Sequence, residues 1–175
     1  MSIRVLFVAS SVVLVLTADN VAVHETFAFD EKSNVRPIFV AGHQDGWTIL
    51  GKYVKAYKVI GGKKTWAEAD KACKSKGAQL ASIMNKEEND FIWDIAKSVS
   101  ERTGPEGRIW IGGKKKCGSW KWTDGTKWDY ENWDSGEPNN EGGHEDCLQI
   151  LAHPQRKGKW NDAPCDGKLA FVCEK

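Results

Sequence analysis

The chain has 175 residues and a formal net charge of +1, which is room for one domain with a proper core. So balanced a charge sets up no global field toward nucleic acid or an anionic membrane surface. Nine tryptophans point to heavy aromatic packing, because large rings dominate core burial.

The N-terminus reads as a secretory signal. Arg4 supplies a small positive region, Val5 to Leu16 is apolar apart from Ser10 and Ser11, and small residues follow at Ala18 and Ala22. A run of roughly 12 residues is shorter than the about 20 that cross a bilayer. Residues 1–18 are therefore expected to be a signal peptide cut near Ala18, and no second apolar stretch of spanning length follows. Export would place the protein outside the cell by way of an oxidising compartment, where disulfides persist. Residues 19–45 are polar and mixed, without heptads or repeats, and read as an N-terminal tail. The domain proper is expected over 46–175, from Gly46–Trp47 onward.

Two helices follow. Thr65-x-x-Glu68 has the form of a capping box, in which the threonine side chain satisfies a free amide and the glutamate reaches back. Trp66, Ala69, Ala72 and Cys73 then share a face, and Gly77 supplies the stop. The second helix starts at Asn85, again with a glutamate three residues on (Glu88). Phe91, Ile92, Ile95, Ala96 and Val99 make its apolar stripe, and Gly104–Pro105 ends it.

Beyond residue 107 the period changes. Ile109–Ile111, Trp120–Thr123, Cys147–Leu151 and Leu169–Cys173 are short apolar runs separated by turn residues such as Asp124–Gly125. The layout is α+β, two helices with short, mostly antiparallel strands. Residues 127–146 fit neither period. They carry Asp129, Glu131, Asp134, Glu137, Glu141, Glu145 and Asp146 against the single basic Lys127. Trp128, Tyr130 and Trp133 argue against disorder, which is poor in aromatics, so a long functional loop is expected. Lys114–Lys116 reads as a solvated turn, with contact to anionic glycans as the alternative.

Glu137, Asn139 and Glu145 in this loop, with Asn161 and Asp162 after Trp160, offer hard oxygen ligands. Such a set suits calcium better than zinc or copper. No D-x-D-x-D-G run is present, so the site cannot be an EF-hand and must be built from loops. Nor does a C-x-x-C or H-x-x-x-H spacing favour zinc on the Cys and His residues. The five cysteines, Cys73, Cys117, Cys147, Cys165 and Cys173, leave one over after two bridges, and four cysteines pair in three ways.

Several separated motifs share one resemblance. Glu137-Pro138-Asn139, Glu145-Asp146-Cys147, Trp160-Asn161-Asp162-x-x-Cys165 and Phe171-Val172-Cys173 together resemble the C-terminal signature of the C-type lectin family. Trp110-Ile111-Gly112-Gly113 is similar to the family's W-I-G strand, and Cys73 sits where its first helix carries a cysteine. Gly46-Trp47 and Ala56-Tyr57-Lys58 resemble the opening hairpin. The resemblance implies a C-type lectin-like fold with bridges Cys73–Cys173 and Cys147–Cys165. It also implies one calcium held by Glu137, Asn139, Glu145, Asn161 and Asp162, the same residues binding the sugar, with a cis bond before Pro138.

In the family the Glu-Pro-Asn order looks like the mannose type, which covers mannose, glucose, N-acetylglucosamine and fucose; Gln-Pro-Asp marks the galactose type. The implied protein is a secreted lectin, without catalysis, that recognises glycans on microbial or host cells. The alternative is a relative on the same fold that binds protein, lipid or a mineral surface. A glycosidase using Glu137 and Glu145 is disfavoured, because metal-bound carboxylates stay ionised and neither could be the general acid. His43 and Ala56 stand where longer members carry an extra cysteine pair, so a looser hairpin is expected. Lys114–Lys116 fall where a second calcium would find early acidic ligands, and cations there oppose it. Cys117 is left over. It is either a buried thiol or the link in a disulfide-bonded dimer, and its lysine-rich setting favours reaction.

Overall fold

The structure is a computed structural model, and it describes residues 2–8, 11–18, 21–28, 39–40, 46–50, 55–97 and 107–175. The chain divides into two compact units, Met1–Ala56 and Tyr57–Lys175. In the first, β1 (Ser2–Val8), β2 (Ser11–Ala18) and β3 (Val21–Ala28) form an antiparallel meander, with Ser2 opposite Thr17 and Ser11 opposite Ala28. The apolar run Val5–Leu16 is thus shared between two paired strands. The sequence reading as a tail did not foresee β3, where Val21, Val23, Thr26 and Phe27 supply the β-branched and aromatic residues strands favour. β4 (Phe39–Val40) pairs antiparallel with β5 (Thr48–Leu50) in the same unit.

The second unit holds β6 (Lys55–Lys64), α1 (Trp66–Lys74), β7 (Gln79–Leu80), α2 (Lys86–Lys97), β8 (Arg108–Lys116), β9 (Ser119–Trp122), β10 (Cys147–Leu151), β11 (Trp160–Ala163) and β12 (Leu169–Glu174). Its sheet runs in the order β11-β10-β8-β12-β6, with β9 added beside β8 and β7 beside β12. Among the described residues its pairings are antiparallel except that of β8 with β12.

Both helix starts follow from local chemistry. Thr65 Oγ1 accepts from Glu68 N and Thr65 N donates to Glu68 Oε2 at 2.9 Å, a complete capping box. At α2, Asn85 Oδ1 accepts from Glu88 N, but Glu88 Oε2 takes the amide of Met84, one residue earlier than a capping box requires. α1 buries Trp66, Ala69 and Cys73; α2 buries Phe91, Ile92 and Ala96. Ile95 is only half-buried. Val99, Gly104–Pro105 and His43 lie outside the described residues.

The middle of the sheet is largely apolar. Ile109, Trp110, Ile111, Leu148, Ile150, Phe171 and Val172 are fully buried. Gly112 is required by close approach: a Cβ there would sit 2.6 Å from the carbonyl oxygen of Leu80. Disulfides join Cys73 to Cys173, tying α1 to β12, and Cys147 to Cys165, fastening the start of β10 to the chain beyond β11.

The strands extend further than the apolar runs suggest. β8 continues through Lys114–Lys116, which read as a turn, because β9 pairs with it from Gly113 to Lys116. The turn itself is Cys117–Gly118, both at positive φ (50° and 78°), as a two-residue type I′ hairpin requires. Cys117 is therefore exposed at the hairpin tip, not buried. Lys114 lies over the ring of Trp66 at 4.9 Å, a cation–π placement.

Candidate functional site

The acidic loop between β9 and β10 is held by rings. Trp120, Trp128 and Trp133 pack on one another, and Trp122, Trp128, Tyr130 and Trp133 surround the buried Trp160. Each such pair adds about 0.5–1.5 kcal/mol beyond area burial. Backbone bonds reinforce the packing: Trp160 N donates to Asn132 O and Asp134 N donates to Trp160 O, both at 2.8 Å. This makes the loop an ordered extension of β11, so Glu137 and Asn139 reach Asn161 and Asp162 although more than twenty residues separate them in sequence.

The predicted site residues meet through a small network. Asp162, fully buried, accepts from Asn139 N at 3.1 Å with Oδ1 and from Asn140 N at 3.0 Å with Oδ2. Asn139 Nδ2 donates to Glu137 Oε1 at 3.2 Å. Asn139 Oδ1 accepts from Glu141 N at 2.8 Å, and the same amide donates to Glu145 Oε2 at 2.7 Å. Glu145, 8 % exposed, returns its own amide to Asn140 Oδ1. Asn161 projects from β11 next to Asp162 and, with Glu137, faces a cavity of about 350 Å³. The Glu137–Pro138 peptide is cis.

Electrostatically the cluster is short of positive charge. Partial burial raises the Glu137 carboxyl above its ordinary value, and a hydrogen bond with Asp162 and the charges of Asp162 and Glu145 push it the same way; the amide of Asn139 opposes them. A carboxyl raised by burial and by neighbouring carboxylates fits a divalent cation, and the side chains offer oxygen donors, the chemistry calcium selects. Loop amides now occupy the carboxylate oxygens, and among the described residues no three His, Cys, Asp or Glu side chains close on one point. A bound ion would supply strong local positive charge and positions for further oxygen ligands.

Two further residues hold the loop in place. Asn140 holds both Asp162 and Glu145, with φ at 48°, a left-handed conformation that asparagine tolerates. Arg156 pairs with Asp134 at 2.7 Å and anchors the chain beyond β10 to the loop. Neither has a sequence signal beyond its residue type.

Comparisons with known proteins agree with this architecture. A family model described as "Lectin C-type domain" matches residues 62–175. The galactose-specific lectin nattectin of Thalassophryne nattereri is 38% identical over 133 residues, covering 74% of this chain and 78% of its own. The crystal structure of the C-type lectin CEL-I from Cucumaria echinata superposes with a TM-score of 0.67 at 25% identity, covering 75% of this chain and 96% of that one. A calcium-independent type II antifreeze protein superposes with a TM-score of 0.63 at 34% identity, covering 77% and 94%. Among the described residues no helix is long and apolar enough to cross a membrane. With a family model matched over most of its length and the same fold as solved C-type lectins, this chain belongs to the C-type lectin domain family, a non-enzymatic family whose relatives named here include carbohydrate-binding lectins.

Proposed function

We propose that this protein is a secreted, calcium-dependent lectin for mannose-type sugars: mannose, glucose, N-acetylglucosamine and fucose. Residues 1–18 are its signal peptide, 19–45 its tail and 46–175 its lectin domain. The observation that supports the reading is the hydrogen-bond network that links Glu137, Asn139, Glu145 and Asp162 through loop amides, with Asn161 next to Asp162 in the chain. These five side chains are the ligands of one calcium. Bound there, the ion keeps coordination positions that two neighbouring sugar hydroxyls fill.

The side chains do the rest. A hydroxyl both donates and accepts. Glu137 and Glu145 accept from sugar hydroxyls, while the amides of Asn139 and Asn161 donate to them, and charge on one partner strengthens such bonds. The Glu-Pro-Asn order fixes which side accepts and which donates, and so favours the mannose-type hydroxyl pair. A second ion is not included, because Lys114–Lys116 line the neighbouring strand and Asn140 is engaged by the Glu145 amide. The biological setting is recognition of glycans on microbial or host cells, or on glycoproteins.

The rival is a non-carbohydrate ligand on the same fold, which the likeness to a calcium-independent antifreeze protein keeps in view. Chromatography on a mannose resin separates the two. Retention in calcium, release by EDTA and return of binding on re-addition of calcium are expected. Acid should release the protein as well, because protonated carboxylates lose the metal. Retention that ignores EDTA overturns the calcium site; no retention on any mannose-type resin overturns the sugar.

A further inference from the structure

Asparagine is among the weaker helix formers, because its side chain competes with the backbone for hydrogen bonds. α2 nevertheless carries Asn89 in its body, 1% exposed, on the side that packs into the core. A buried amide in such a place is explained by what it binds. Its Oδ1 accepts from the indole Nε1 of Trp160 at 2.8 Å, across 71 residues of sequence. An indole N–H can only donate, so this contact fixes which way the amide points. Gly158 fits closely beside the same amide. Its φ is +72°, and a Cβ there would lie 2.9 Å from Asn89 Nδ2 and 2.9 Å from Trp93 Cβ. Through Asn89 and Trp93, α2 is seated against the chain that enters β11.

The two halves of the site proposed above meet at Trp160. On one side it is followed directly by Asn161 and Asp162 in β11. On the other, its carbonyl accepts from Asp134 N at 2.8 Å, and Asp134 O accepts from Glu137 N at 3.1 Å. The turn that presents Glu137 therefore hangs from Trp160 by two successive bonds. Asn132 tightens the same join. Its carbonyl takes Trp160 N at 2.8 Å, its Nδ2 donates to Gly158 O at 2.9 Å, and Lys159 Nζ donates to its Oδ1 at 2.9 Å.

The Trp160 ring is fully buried against Trp128, Tyr130 and Trp133. Those rings fill space around the indole, while the acceptor for its N–H comes from α2. Without that acceptor a buried donor is left open, which folded chains avoid at the expense of rearrangement. The backbone that would have to resettle is the one that carries both halves of the site.

We propose that Asn89 is a positioning residue for the calcium site: acting from α2 through the Trp160 indole, it sets the affinity for the ion. Its side chain bonds Trp160 and none of the five ligands. This inference rests on the calcium reading above and deepens it, by making α2 part of what holds the ligand set in place.

Calorimetric titration of the full chain with calcium tests it, beside melting of the EDTA-treated protein. Asn89→Leu, which keeps the volume and removes the acceptor, should weaken calcium binding roughly tenfold, the lower end of what partners behind metal ligands command. Asn89→Asp, which keeps an oxygen at the same place, should recover most of that loss. Phe91→Leu changes a buried position of α2 that packs on Tyr57 instead; it should lower the melting temperature and leave calcium affinity unchanged. Coupling is reciprocal, so in wild type calcium should slow hydrogen exchange at the Trp160 indole N–H, a reading that needs no variant to fold. Wild-type affinity in a folded Asn89→Leu protein overturns the inference and leaves the calcium reading intact. So do equal losses in Asn89→Leu and Phe91→Leu, no recovery in Asn89→Asp, or indole exchange indifferent to calcium. If wild type takes up no calcium, the calcium reading falls and the role of Asn89 falls with it.

Discussion

Glu137 and Asn139 form a donor–acceptor pair across Pro138, with Asn139 Nδ2 donating to Glu137 Oε1. Glu137→Gln combined with Asn139→Asp exchanges the roles: the amide at 137 can donate to the carboxylate at 139. The internal bond has a counterpart in the double variant, and the oxygen donors are kept, so calcium binding and fold should persist. The direction presented to sugar hydroxyls is reversed. The expected outcome is a shift of preference from mannose toward galactose by on the order of tenfold, read as the ratio of the two sugars' inhibition constants on a glycan surface. A double variant that binds calcium yet keeps its mannose preference would show that selectivity lies elsewhere. The five side chains of the cluster could be picked out in the sequence because they fall in short ordered motifs. The partners that hold them could not. Asp162 takes its hydrogen bonds from amides 22 and 23 residues earlier.

Helix starts were legible because a cap is local, and strand ends were not because pairing is tertiary. Thr65 and Glu68 meet within one turn, so four residues of sequence suffice to foresee the box. β11 reads Trp-Asn-Asp-Ala, and asparagine and aspartate are poor strand formers; it is a strand because β10 pairs with it from Cys147 to Ile150. The cap also carries a pH dependence with a definite sign. Hydrogen bonds from the Thr65 backbone and side chain hold the Glu68 carboxyl below its ordinary value. A depressed carboxylate contributes stability that is present above the unfolded value and is lost as pH falls through the folded one. Wild type should therefore melt above Glu68→Ala at neutral pH, and the gap should close as pH drops below the ordinary glutamate range. Thr65→Ala should cost about 1 kcal/mol at neutral pH. A gap that widens in acid would mean that Glu68 stabilises the helix only when protonated, against the cap geometry.

The whole molecule is stapled at two levels and leaves one thiol outside. Cys73–Cys173 spans a sequence separation of 100, a loop whose closure is worth about 4–5 kcal/mol in the chain-entropy picture, and Cys147–Cys165 pins the strands that carry the site. Cys117 stands at the tip of the β8–β9 hairpin, exposed and beside the lysines. The sequence could show that one cysteine was left over; only the hairpin register shows that it faces outward. In an oxidising compartment an outward thiol on an exposed tip is placed to join a second chain. A joined pair would carry two sugar sites on one particle. The expected outcome is a band at twice the monomer mass on a non-reducing gel, reduced to monomer by dithiothreitol and absent in Cys117→Ser. Retention on a dense mannose surface should fall at least tenfold in that variant, with affinity for free methyl mannoside unchanged, because linking two weak sites raises avidity without any new sugar contact. A wild-type protein that runs only as monomer without reductant would rule out the linkage and leave Cys117 as the occupant of a type I′ turn, where asparagine is the better-suited residue.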